Sequence, residues 1–267
     1  MIYTTFFGFS HPPFQPILAP DQLFCPPLLE ELHSRLRYLV DNRALGLLTG
    51  EPGSGKSTAL RRLRDHYHPD QVRILYIQDT LSHPADFCRQ LALELGLQPR
   101  GSRAINFRLI QSEIQRLVQE RHLNVLLVLD EAHHLRPDIL ALLPLLTNFD
   151  WDSSARLALL LAGQSGLRQQ LQRAHLEALA QRITIRFNLR GFDRDTTRLY
   201  LEHRLRIAGL DRPLFTEPAL EALFNASQGI MRRLDALAHH ALAVTATRRA
   251  KLVEPDHVLQ AAEELRS

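Results

Sequence analysis

Lysine is nearly missing from this chain. Of its 32 lysines and arginines, spread over 267 residues, only Lys56 and Lys251 are lysine. A GC-rich coding bias explains the arginines, and so does selection for the bidentate phosphate contacts a guanidinium makes. Either way Lys56 stands out, because arginine was the default cation. Cysteine is as scarce: Cys25 and Cys88 have no metal-ligand spacing and fit free thiols in a reducing cytoplasm. No apolar run approaches the ~20 residues of a membrane span. The opening Met1–Phe6 lacks the basic-then-apolar order of a signal peptide. A cytoplasmic protein with no membrane partner is therefore expected. What is present is ordinary: 45% hydrophobic residues and a net charge of +3, enough for one large α/β domain and a small satellite.

Against this background one stretch carries specific chemistry. Gly50-Glu51-Pro52-Gly53-Ser54-Gly55-Lys56-Ser57 fits the phosphate-binding P-loop pattern G-x-x-x-x-G-K-[ST] at every fixed position. Its context is that of a strand–loop–helix unit. Leu45–Thr49 is apolar and short, and a helix starts at Thr58. The glycines let backbone N–H groups turn inward at a helix N-terminus, where the macrodipole also favours an anion. Residues Gly50 to Thr58 are thus the expected ATP cradle. Lys56 reaches the β- and γ-phosphates, and Ser57 holds Mg²⁺.

The remaining chain alternates strand and helix. An aromatic and proline-rich segment, Phe6 to Phe14, precedes an amphipathic helix from about Pro27 to Asn42. Phe6, Phe7 and Phe14 serve either as an apolar plug or as one wall of an adenine pocket. Strands are expected at 72–77, 124–131, 156–162 and 183–187, with helices at 84–97 and 105–122. The runs at 124–131 and 156–162 are apolar without alternation, as suits central parallel strands buried on both faces. From about Leu189 the strand signal ends, and helices follow at 193–208, 217–227, 231–247 and 255–265. The expected fold is α/β, a doubly wound parallel sheet with a small C-terminal helical lid. Its segments are a lead segment and helix at 1–44, an ATPase core at 45–189 and the lid at 190–267.

The strand 124–131 ends in Asp130 and Glu131, the acids of a Walker B motif. Asp130 contacts Mg²⁺, and Glu131 polarises the water that attacks the γ-phosphate. Asp130-Glu131-Ala132-His133 also spells a helicase DEAH box, but such helicases need a second motor domain. His133 and His134 are adjacent, so from a helix they cannot both face one metal; exposed or partner-facing imidazoles are expected.

The motifs GEPGSGKST, VLLVLDEAHHL, LLLAGQSGLRQQL, LAQRITIRFNLRGF and GIMRRLDALAHHAL occur in the order of an AAA+ ATPase. With the opening FFGFSHPPF, the chain resembles the ExeA-type group. That group takes in the secretion ATPase ExeA and the transposition ATPases TnsC and TniB, with IstB and MuB more distant. The resemblance implies that Gln164 fills the sensor 1 position, where Asn or Thr is usual. It implies an arginine finger at Arg182, which reaches a neighbouring subunit's γ-phosphate. It implies sensor 2 at Arg232, with Arg233 as the alternative, and it favours the adenine-pocket role for Phe6, Phe7 and Phe14. A site completed by a neighbour implies a ring or helical filament.

By the same resemblance, a transposition member grips duplex target DNA through loops after the second and third strands. The candidates here are Thr80, His83, Arg100 and Arg103, giving sequence-tolerant, salt-dependent contact. The leading expectation is therefore a DNA-transposition ATPase that assembles on target DNA. It would serve a DDE-type transposase, with a target-selection adaptor as a further partner. The alternative is a secretion or envelope-assembly ATPase of the ExeA kind. That reading wants a membrane anchor and a further tail, and the sequence given stops after the lid.

Overall fold

The computed structural model describes residues 2–15, 18–19, 22–78, 83–150 and 154–265. In chain order the helices are α1 (Ile2–Phe7), α2 (Pro27–Asp41), α3 (Lys56–His66), α4 (Pro84–Glu94), α5 (Arg103–Gln119) and α6 (Pro137–Leu146). They continue as α7 (Gly166–Gln170), α8 (Glu177–Arg182), α9 (Arg194–Ile207), α10 (Glu217–Ser227), α11 (Met231–Thr247) and α12 (Pro255–Glu264). The strands are β1 (Leu45–Gly50), β2 (Val72–Ile77), β3 (Asn124–Leu129), β4 (Ala158–Gly163) and β5 (Ile183–Leu189).

The chain divides into two units. The sheet unit, Leu28–Gly50 with Lys56–Leu189, is built on five parallel strands in the order β2-β3-β4-β1-β5. Strand parity sorts its side chains into two cores. Val125, Leu127, Leu129, Leu159 and Leu161 face a core shared with Phe87, Leu91, Ile110 and Ile114 of α4 and α5. Leu126, Val128, Leu160 and Ala162 face the other, shared with Leu32, Leu36 and Leu39 of α2 and Leu60 of α3. Burial on both faces is why β3 and β4 read as unbroken apolar runs. β5 at the sheet edge alternates buried and exposed positions. Gly46 sets how closely α2 approaches: a Cβ there would stand 2.2 Å from Leu39 Cδ1. Truncating Phe87, which is fully buried, to alanine would cost about 3–5 kcal/mol.

The helical unit comprises Met1–Pro27, Glu51–Gly55 and Arg190–Ser267. Its helices start where short polar side chains hold backbone donors. The Asp193 carboxylate accepts from Thr196 N, and Thr216 Oγ1 accepts from Ala219 N. Two backbones meet before α11, because a Cβ on Gly191 would lie 2.1 Å from Gln228 O and one on Gly229 2.0 Å from Phe192 O. Phe192 N donates to Gly229 O at 2.9 Å across that crossing.

The expected lead segment, 1–44, is divided by these contacts: residues 1–27 group with the C-terminal helices and 28–44 with the sheet. Tyr3 Oη lies 2.9 Å from His239 Nδ1 of α11. Phe7, Phe9 and Phe14 are buried, and the Phe14 ring stands 6.5 Å from that of Phe215. Arg204, itself buried, ties the segment down. Its Nε donates to Pro13 O at 2.7 Å and its Nη2 to Gln15 O at 2.6 Å. The same guanidinium meets Tyr200 Oη and Asp235 Oδ2, so no donor-rich face is left bare. Burial pushes the Asp235 carboxyl up, against the pull of Arg204.

Candidate nucleotide site

β1 delivers the chain to a loop that only glycine follows comfortably. Gly53 and Gly55 take φ of 81° and 103°. Gly53 is also a point of close approach: Arg232 N donates to Gly53 O at 3.2 Å, and a Cβ on Gly53 would meet Arg232 Cβ at 2.5 Å. Arg232 and Arg233 carry exposed side chains at the start of α11. Ser54 is buried, and its Oγ has no hydrogen-bond partner. Lys56 opens α3 with only 6% exposure, and its Nζ donates to Gly50 O at 2.9 Å. Glu51, Pro52 and Ser57 are exposed, and Thr58 is half-buried. An orphaned buried hydroxyl, an amine turned back on the loop and two left-handed glycines fit a bound polyphosphate, which would satisfy the hydroxyl. Ser57 and Asp130 offer the hard oxygens Mg²⁺ takes.

The acids after β3 are fixed by neighbouring strands. Asp130, 1% exposed, donates its N–H to Ile77 O at 2.9 Å. Its Oδ1 accepts from Glu131 N at 2.9 Å, and its Oδ2 accepts from Tyr76 Oη at 2.6 Å. Burial first, then the bond to Asp130, pushes the Tyr76 phenol up, so it remains a donor. Tyr76 has no sequence motif, and its place beside Asp130 follows only from register, which pairs it with Val128.

Glu131 is left-handed, with φ 50° and ψ 34°, a conformation that costs a non-glycine residue about 1–3 kcal/mol. Its Oε2 lies 3.4 Å from His133 Nδ1. That nitrogen accepts from Gln164 N at 3.4 Å, which places the imidazole between the acid and the end of β4. The absence of a side chain at Gly163 makes room, since a Cβ there would stand 3.1 Å from His133 N. Burial, then the neighbouring His134, lowers the His133 pKa. The expected pair of exposed imidazoles is corrected here. His133 is mostly covered and only His134 is exposed. Both lie on a 3₁₀ turn, Ala132–His134, with ring centroids 3.9 Å apart. Lys56, Asp130, Glu131 and Gln164 thus follow or end elements at the carboxyl edge of one sheet.

Other candidates lie elsewhere. Arg182 ends α8 before the amino end of β5, at the opposite edge of the sheet from Asp130. Its Nη1 donates to Pro144 O at 3.0 Å and Thr147 Oγ1 at 3.4 Å, at the C-terminus of α6. It borders a cavity of about 580 Å³ with Tyr38, Arg43, Leu45 and Thr184. Thr80 lies outside the described residues. His83 is exposed before α4, whereas Arg100 and Arg103 are exposed beyond its other end. An 11-residue helix, about 16 Å long, separates them. The buried Asn106 holds the Arg100 backbone at both its N–H and its carbonyl.

A parallel sheet in this strand order, with a P-loop after β1 and paired acids after β3, defines the AAA+ P-loop fold; it implies nucleotide binding and indicates an ATPase. Residues 39–171 match the AAA domain family. The chain is 35% identical over 98% of its length to the General secretion pathway protein A of Aeromonas hydrophila, and it spans 48% of that relative. Among solved structures it is similar to Cdc6p from Pyrobaculum aerophilum, with a TM-score of 0.70 and 24% identity over 94% of this chain and 70% of that one. It is also similar to the Aeropyrum pernix ORC1 protein in complex with DNA, with a TM-score of 0.65, 18% identity and coverage of 95% and 68%. At such identities these two structures support the fold. The sequence relative favours the secretion reading over the transposition one. Among the described residues no helix is long and apolar enough to cross a membrane.

Proposed function

We propose that this chain is an Mg²⁺-dependent ATPase of a secretion or envelope-assembly system, of the kind the Aeromonas protein represents. The observation that carries the proposal is the 35% identity over 98% of this chain. In this reading the loop amides from Gly53 to Lys56 and the Ser54 hydroxyl hold the β- and γ-phosphates. The Lys56 ammonium leaves the Gly50 carbonyl for the γ-phosphate and offsets its charge. Ser57 and Asp130 hold Mg²⁺, which when bound neutralises charge on the phosphates. Glu131 accepts a proton from the attacking water at its carboxylate. Gln164 orients that water, Arg232 contacts the phosphates as sensor 2, and of the three lead-segment rings the exposed Phe6 stands on the adenine side, while the buried Phe7 and Phe14 serve as the apolar plug. Arg182 acts on the nucleotide of a neighbouring copy, so activity requires a ring or filament.

The test is ATP turnover against protein concentration, with and without duplex DNA. The secretion reading expects turnover that rises with self-association, is abolished in Lys56→Ala, and is indifferent to DNA. Turnover stimulated severalfold by duplex DNA, in a salt-dependent manner, would replace it with the transposition reading.

A further inference from the structure

Glu131, His133 and His134 each offer one ligand atom on the turn that follows β3, and the three atoms all lie within 4.8 Å of one another. On an α-helix neighbouring side chains diverge by about 100°. Here the left-handed Glu131 and the 3₁₀ turn keep them on one side. Two imidazoles and a carboxylate are a ligand set of zinc and its neighbours in the transition series, with a fourth position left open. In a four-coordinate zinc site with bonds of 2.0–2.1 Å, ligand atoms stand about 3.3 Å apart. The Glu131 Oε2 to His133 Nδ1 distance of 3.4 Å already meets that spacing. His133 is held by packing beside Gly163, and the long 3.4 Å contact from the Gln164 N–H to its Nδ1 is one a metal on that nitrogen would displace. His134 is exposed, and its ligand atom lies within 4.8 Å of the other two.

We propose that Glu131, His133 and His134 form a binding site for a transition-metal dication of the zinc class, and that filling it switches hydrolysis off. A carboxylate engaged with the metal is withheld from the attacking water, while Lys56, Ser54 and Ser57 still take the nucleotide. Mg²⁺, which prefers oxygen ligands, does not compete for the two imidazoles. The consequence for turnover rests on the role proposed above for Glu131; the site itself does not.

The experiment is calorimetric titration of Zn²⁺ into the nucleotide-free protein, with Co²⁺ absorption as a second probe of the ligand set. One ion per chain is expected. His134→Ala and His133→Ala should each weaken binding by at least about tenfold, the loss seen even for an outer-shell partner. His134→Ala, a change on an exposed turn, should keep basal turnover and lose its inhibition by Zn²⁺. Absence of a one-to-one complex would overturn the site. So would an affinity unchanged in both His134→Ala and Glu131→Gln, which would put the metal on other histidines such as His33 and His66. Zinc binding that depends on His134 without any effect on turnover would uphold the site and overturn the catalytic role of Glu131.

Discussion

Tyr76 and Asp130 are joined across adjacent strands by a 2.6 Å hydrogen bond that uses the carboxylate oxygen left free by the Glu131 N–H. The phenol therefore aims a carboxylate expected to act on Mg²⁺. Tyr76→Phe should raise the Mg²⁺ concentration for half-maximal turnover by about 10–100-fold, the usual effect of losing an outer-shell partner. The check is a Mg²⁺ titration of ATP turnover; an unchanged midpoint would remove Tyr76 from the site.

Arg182 holds the C-terminus of α6 through Pro144 O and Thr147 Oγ1, and it is also the residue proposed above as the arginine finger. Arg182→Ala should leave nucleotide affinity intact and lower kcat by about 10³-fold, the lower end for an arginine finger. Loss of the cap alone would cost about 1 kcal/mol of stability and leave kcat in place. Nucleotide titration, turnover and a urea melt on one preparation separate the two.

At Gly229 a side chain has nowhere to go. The residue has φ of 68°, and its Cβ would fall 2.0 Å from the Phe192 carbonyl oxygen, which is backbone. The left-handed conformation alone costs alanine about 1–2 kcal/mol. The clash adds to it, so Gly229→Ala should destabilise by more than about 2 kcal/mol in a denaturant melt followed by circular dichroism. A change below 1 kcal/mol would mean that the crossing before α11 yields easily.

Acid should weaken the fold before carboxylates begin to protonate. Burial first, then Arg62, His66 and Arg37, lowers the His33 pKa from 6.5 to about 4. As the pH falls below 6.5 the unfolded chain takes this proton first, so stability is lost between about 6.5 and about 4. His133, His239 and His257 are shifted in the same direction, in each case first by burial. The urea midpoint should therefore be lower at pH 5 than at pH 7, and His33→Gln should narrow the gap. A midpoint equal at both values would contradict this account.

Much of the architecture was legible because local pattern and tertiary role agree. The unbroken apolar runs of β3 and β4 could only be buried on both faces, and the C-terminal helices carry caps and glycine stops. α6 was not legible. Pro137–Leu146 is apolar all round and has Pro144 inside it, so no helical periodicity survives. α1 is six residues, too short for a periodic signal. At the site, the P-loop and the paired acids are contiguous in sequence and could be read directly. Tyr76 and Gly163 act through register and close approach, which no local pattern encodes. His133 is covered, against expectation, because it lies on a 3₁₀ turn packed beside Gly163, whereas His134 is exposed as expected.

The guanidinium of Arg204 grips carbonyls almost two hundred positions upstream, at a sequence separation of 191 for Pro13. A ribosome makes the aromatic lead first and its partner helices last. Through all the intervening elongation, those rings have no slot to enter. Residues 2–15 are thus made long before the helices that bury their rings, and a chaperone that shields them would act until α9 and α11 emerge.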